Sequence, residues 1–147
     1  MNRYIYTTAV CLLVLTIGLP ACKMVSPQRI LTKYDWQIDE QLADLSGTTY
    51  HYKRGGENTF SYDQACVLFT FNKDSTGTYT DPDTNTYKLH WYFKTGNDIV
   101  LNFDAPWWLG TSHWNLLTIT DSSLSVSSAV SNGLVSTRLV PVIKKKK

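Results

Sequence analysis

The 147-residue chain is 43% hydrophobic and 13% aromatic, enough apolar material to bury one sizeable core. Its formal charge is +2, but four of its fourteen bases are the lysines at 144–147, and between Arg3 and that tail nine bases face twelve acids. A mildly acidic body without a basic stripe excludes nucleic-acid binding, which needs cations to displace the counterions of phosphate.

Met1-Asn2-Arg3 forms a short positive region, and residues 5–19 form an apolar stretch that ends in Leu19-Pro20-Ala21-Cys22. This is the three-part layout of a secretory signal, and the run is too short, and too soon followed by Pro20 and Lys23, for a retained membrane span of about 20 residues. Small Ala21 directly before Cys22, with Leu19 three positions ahead of the cysteine, is similar to the lipobox of bacterial lipoproteins. Residues 1–21 therefore read as a lipoprotein signal peptide. Cys22 reads as the acylated first residue of the mature chain, through which the membrane becomes a partner. Lys23, where an Asp would favour inner-membrane retention, points to the outer rather than the inner membrane of the cell envelope. Cys11 leaves with the signal and Cys22 is used by lipid, so Cys66 remains alone and no internal disulfide is available. Cys66 opens the apolar run Cys66-Val67-Leu68-Phe69, which predicts a buried thiol acting as a small hydrophobe.

Residues 22–33, with Ser26-Pro27-Gln28-Arg29 and little apolar periodicity, read as a lipidated tether. The folded domain is expected over 34–142, followed by a basic tail at 143–147 that is either solvated or laid against anionic lipid. From Tyr34 onward, short segments rich in Thr, Tyr, Val, Phe and Trp alternate with polar turns every 8–12 residues, roughly the spacing of antiparallel strands. Early strands are expected around Trp36 to Ile38 and Thr48 to Lys53, with one helical turn available over 39–45. Val67, Phe69 and Phe71 then share one face before the turn Asn72-Lys73-Asp74-Ser75-Thr76-Gly77 leads into Thr78-Tyr79-Thr80. After Asp81-Pro82-Asp83-Thr84-Asn85, period-two alternation puts Tyr87, Leu89, Trp91 and Phe93 on one face. Ile99, Leu101 and Phe103 repeat it after Thr95-Gly96-Asn97-Asp98. Further turns at Asp121-Ser122-Ser123 and Ser131-Asn132-Gly133 complete an antiparallel up-and-down meander of eight to nine strands. Its edges are most simply protected by closure into a barrel.

Catalytic chemistry finds no foothold, so the chain reads as a non-enzyme without cofactor. His51, His90 and His113 fall on separate predicted strands with no ligand spacing, which argues against a metal site. Asp81, Asp83 and Asn85 imitate the start of a calcium loop, but Thr86 stands where Gly is needed and Tyr92 where Glu would bind; an Asx-stabilised turn is the simpler account. No serine sits in a Gly-x-Ser-x-Gly elbow.

The stretches Phe69-Thr70-Phe71-Asn72-Lys73-Asp74-Ser75-Thr76-Gly77-Thr78-Tyr79 and Trp114-Asn115-Leu116-Leu117-Thr118-Ile119-Thr120-Asp121-Ser122-Ser123-Leu124-Ser125-Val126, with Trp36 in the first strand, resemble the lipocalin-like lipoproteins of Bacteroidota-type bacteria. The resemblance spans residues 34–142 and implies a small up-and-down β-barrel behind a lipobox. It further implies that Trp36 is capped by a basic residue of the last strand, here Arg138, closing one end of the barrel by guanidinium over indole.

Two functions stay open. Inward residues beyond what packing requires can line a cavity for a small apolar ligand, and Phe71, Leu89, Trp91 and Leu101 are the expected lining. Alternatively the barrel is filled, and an exposed aromatic patch at Trp107 and Trp108, with the 81–85 loop, engages a protein partner in the envelope.

Overall fold

A computed structural model describes residues 26–104 and 110–143; Cys22, Trp107, Trp108 and the four lysines lie outside these described residues. Helix α1 (Pro27–Leu31) precedes nine strands: β1 (Asp35–Leu45), β2 (Thr48–Lys53), β3 (Leu68–Phe71), β4 (Thr76–Thr80), β5 (Thr86–Thr95), β6 (Asp98–Phe103), β7 (Thr111–Ile119), β8 (Leu124–Val130) and β9 (Gly133–Val142). All pairings between named strands are antiparallel. β3 to β9 pair in chain order, and β1 pairs with both β3 and β9, so eight strands close a lipocalin-like up-and-down barrel and β2 is the extra one.

β1 has three neighbours because one of its edges is shared. Asp35 to Gln37 pair with β3, whereas Glu40 to Leu45 pair with β2. Carbonyls at such a fork would lack donors, and Arg54 supplies them: its backbone N–H donates to Asp39 O at 2.8 Å and its Nε to Ile38 O at 2.9 Å. Its Nη1 donates to Ala65 O at 3.2 Å, tying the 54–67 loop to the fork.

The register of β1 against β9 shifts between Ile38 and Glu40, a β-bulge. Trp36 and Ile38 face inward before it, and Gln41 and Ala43 after it, so a parity change brings a glutamine into the barrel and leaves Leu42 45% exposed. A second register shift lies between Leu116 and Thr118; Leu117, outward by alternation from inward Trp114 and Leu116, is 55% exposed. The bulge also explains why residues 39–45, expected as a helical turn, continue β1 instead: the lost alternation reflects an inserted residue, not a helical period.

One half of the barrel is filled. Trp36, Phe71, Leu89, Trp91, Ile99, Leu101, Leu124 and Leu139 are each almost wholly buried there. α1 plugs that end. Pro27 at its start needs no N–H partner, Thr32 caps its last turn through Oγ1 to Gln28 O at 3.0 Å, and Ile30 and Leu31 enter the core. The tether reading of 22–33 is thereby corrected: Leu31 is fully buried, its carbonyl accepts the Trp36 indole N–H at 2.9 Å, and only the residues before Ser26 remain candidates for a linker. Lys33 and the Tyr34 hydroxyl bind Asp121 Oδ1 at 2.7 and 3.0 Å, fixing the plug to the β7–β8 turn.

Two smaller expectations are also corrected. Cys66 is exposed, because inward alternation selects Val67, Phe69 and Phe71 and leaves the thiol before β3 begins. Arg138 does not cover Trp36. It pairs with Glu40 in register, on the outward face, while neighbouring Leu139 turns inward; its guanidinium meets Asp39, and Glu40 at 3.2 Å. Trp36, facing the interior, is covered by Leu31 instead.

Candidate ligand cavity at the open end

Because successive strands run in opposite directions, each inward residue has a definite level along the barrel axis. Moving from the plugged end to the other, β7 presents Leu116, Trp114 and Ser112; β8 presents Leu124, Val126 and Ser128; β9 presents Leu139, Thr137 and Val135. Large side chains give way to small ones on three adjacent strands, and space opens where they do. The cavity has a volume of about 520 Å3, within the usual range for small-molecule sites of roughly 300–1,000 Å3.

Ile38, Val67, Phe69 and Trp114 form its floor against the filled half. An aromatic wall rises from that floor. Phe69 meets Trp114 edge-on with centroids 4.8 Å apart, Tyr79 lies 4.9 Å from Phe69, and Phe103 is 5.5 Å from Tyr79 in a T-shaped contact. Across from this wall runs a polar chain: buried Gln64 donates to Gln41 Oε1, and Gln41 Nε2 donates to Thr137 Oγ1 at 3.0 Å. Gln64 and Tyr62 come from the 54–67 loop, which is held to β2 by Thr59 N–H to His51 O at 2.8 Å and by Phe60 against Tyr50 at 5.6 Å.

At the mouth stand Asp81, Pro82 and Asp83. Asp81 is 5% exposed and accepts hydrogen bonds from Asn85 N at 2.8 Å, Asn85 Nδ2 at 3.2 Å and the Tyr87 hydroxyl at 3.2 Å. Thr84 adopts φ of 68° to let the chain turn, and its N–H closes the loop on Asp81 O at 3.0 Å. The Tyr79 phenol is pushed up to about 12, first by burial and then by the negative charge of Asp81.

Phe71, Leu89, Trp91 and Leu101, the expected lining, are brought together, but in the filled half; each is 1% exposed or less and none lines the cavity. Trp91 meets Phe71 edge-on at 5.6 Å and donates its indole N–H to Thr76 O at 3.0 Å, so it acts as a core residue. Alternation alone identified inward residues but not their level; Gln41, Gln64, Phe69, Tyr79, Asp81, Phe103 and Trp114 were missed as lining for that reason. Strand direction was the usable signal, since the ends of β4 and β6 and the start of β7 must meet at one rim. Trp107 and Trp108, expected as an interaction patch, fall outside the described residues.

The histidines stay apart: His51 sits between Glu57 and Glu40, His90 near Asp104 and His113 near Asp98. The two glutamates, Glu57 foremost, hold the His51 imidazole above its ordinary value. Among the described residues no three His, Cys, Asp or Glu side chains converge on a point suited to a metal.

No protein-family model matches this chain, and no curated protein is similar to it.

Proposed function

We propose that this is a membrane-anchored lipoprotein of the bacterial envelope whose barrel holds a small, largely apolar ligand in its open end. The observation that carries the reading is the position of the cavity: a space of about 520 Å3 with an aromatic wall, opposite a plugged and filled half. A ligand that buries about 300 Å2 of apolar surface there gains roughly 7 to 8 kcal/mol, of which association takes back at least about 4 kcal/mol, so binding is modest.

The anchor fits this geometry. Cys22 lies four residues before Ser26, a reach of at most about 14 Å. α1 is at the plugged end, and β9 also ends there, where Val142 pairs with Asp35. Lipid and lysines would then draw the plugged end to an anionic bilayer, and the mouth would lie at the far end, open to ligand arriving through water.

Replacing Cys22 with Ser is expected to move the protein from the membrane fraction to the soluble exported fraction and to abolish fatty-acid labelling. Continued attachment of that variant to membranes would refute the anchor. For the cavity, titration of the full-length protein with a neutral solvatochromic dye is expected to saturate. Ser128→Trp, which places an indole in the open half, should remove dye binding while the far-UV circular dichroism stays that of a folded β protein. Equal dye binding by both proteins would overturn the site.

A second reading rests on a different surface. Exposed Leu42 and Leu117 flank a shallow outer groove of about 290 Å3 with Glu40, Ser125, Ser136 and Arg138. Such a groove favours an envelope interaction partner over a carrier role.

A further inference from the structure

The cavity's lining is one-sided in charge. Among the described residues, sixteen side chains line it; two are acids, Asp81 and Asp83, and none is Lys, Arg or His. Asp44 and Asp74 are held by threonine hydroxyls, whereas Asp39 sits against Lys53 at 2.9 Å and Asp121 against Lys33 at 2.7 Å, each with a basic partner. Asp81 and Asp83 have no such partner among the described residues. Asp81 is also the only carboxylate in the buried set, held by neutral donors alone. A carboxylate withdrawn from water and fixed at the rim of a cavity is a poor neighbour for an anionic head and a good one for a cation.

The aromatic wall points the same way. Tyr79, Phe103 and Trp114 present ring surface inside the space that Asp81 borders. Ring faces attract cations, most of all substituted ammonium groups that are weakly hydrated, and the attraction grows when water is excluded. A primary apolar attraction would not distinguish a fatty acid from a fatty amine; the rim does.

We infer that the cavity selects organic cations, molecules with an apolar body seated on Phe69 and Trp114 and a substituted ammonium group beside Asp81 and Asp83. This rests on the cavity being a ligand site, as proposed above. Tyr79, whose phenol is raised first by burial and then by the Asp81 charge, stands beside that position.

The test is displacement of a neutral solvatochromic dye from the full-length protein by three chains of equal length below their micellar range: dodecyltrimethylammonium, dodecanol and dodecanoate. The ammonium is expected to displace the dye at about tenfold lower concentration than dodecanoate, with the alcohol between them, equivalent to a difference of about 1.4 kcal/mol. Asp81→Asn should shrink that ratio towards one. Because Asp81 also organises the 81–85 turn, Asp83→Asn is measured beside it, and there the ratio should fall partly and further with added salt, since that carboxylate is exposed. Dodecanoate binding as tightly as the ammonium, or a preference that survives in both variants, overturns the inference while dye binding keeps the cavity reading intact. Failure of the dye and all three chains to bind overturns both.

Discussion

Trp91→Ala is expected to lower the stability of the protein by about 3–5 kcal/mol, the usual loss when a large aromatic is deleted from a packed core. Trp91 is 1% exposed, touches Phe71 edge-on at 5.6 Å and Phe93 at 6.1 Å, and its indole N–H donates to Thr76 O. The substitution therefore removes both a side chain's worth of contacts and a hydrogen bond. Denaturant unfolding should show a lower midpoint with an unchanged slope. The same variant separates two views of the interior. Phe69 and Trp114 stand between Trp91 and the mouth, so dye affinity should stay within about threefold of wild type, a change of less than 1 kcal/mol. A stable Trp91→Ala protein with strongly altered dye binding would mean that the ligand space extends into the half described here as filled.

The walls of the barrel were legible in the sequence because a half-buried antiparallel strand must alternate. The runs through Leu89 and Trp91, and through Ile99 and Leu101, became β5 and β6 with those residues inward. The turns were legible for an equally local reason: polar clusters at 72–75, 81–85, 96–97, 120–123 and 131–132 each separate consecutive strands. Closure of β1 on β9 followed from the need to satisfy two edges, and ten residue pairs from Asp35↔Val142 to Leu45↔Gly133 realise it.

The site was hidden for non-local reasons. Gln41 faces inward only because of the bulge at Ile38/Glu40, and a bulge is set by pairing with β9, one hundred residues away in sequence. Gln64 and Tyr62 belong to a loop whose sequence has no periodicity; its course is dictated by the fork at β1, where Arg54 anchors it. The small lining residues on β7 to β9 are Ser112, Ser128, Val135 and Thr137, which attract no notice individually and matter only because three adjacent strands turn small towards the same mouth. An abundance of aromatics suggested a cavity, but the aromatics that fill the barrel and those that line its mouth are the same residue types. Only their height distinguishes them.

Leu31→Ala is expected to cost about 2–5 kcal/mol, although residue 31 lies in a stretch that reads as a tether. Four polar or proline residues, Ser26 to Arg29, precede it, and a two-residue apolar pair in such company gives no periodic signal. Its burial comes entirely from tertiary structure: Leu31 is 0% exposed, packs within the same core as Trp36, and closes the end of the barrel away from the cavity. The hydrogen bond from the Trp36 indole ends on the Leu31 backbone carbonyl, which alanine retains, so the loss measures packing alone. Gln28→Ala, on the exposed side of the same helix, is the matched control and should stay within about 0.5 kcal/mol of wild type. Urea unfolding of both variants in the Cys22→Ser background keeps the comparison free of detergent and lipid. Near-neutral results for both would make the segment a tether after all, and the reach from lipid to barrel would then grow from four residues to about twelve. At that length the mouth could swing towards the bilayer, and the argument that ligand arrives from the aqueous side would fall with the plug.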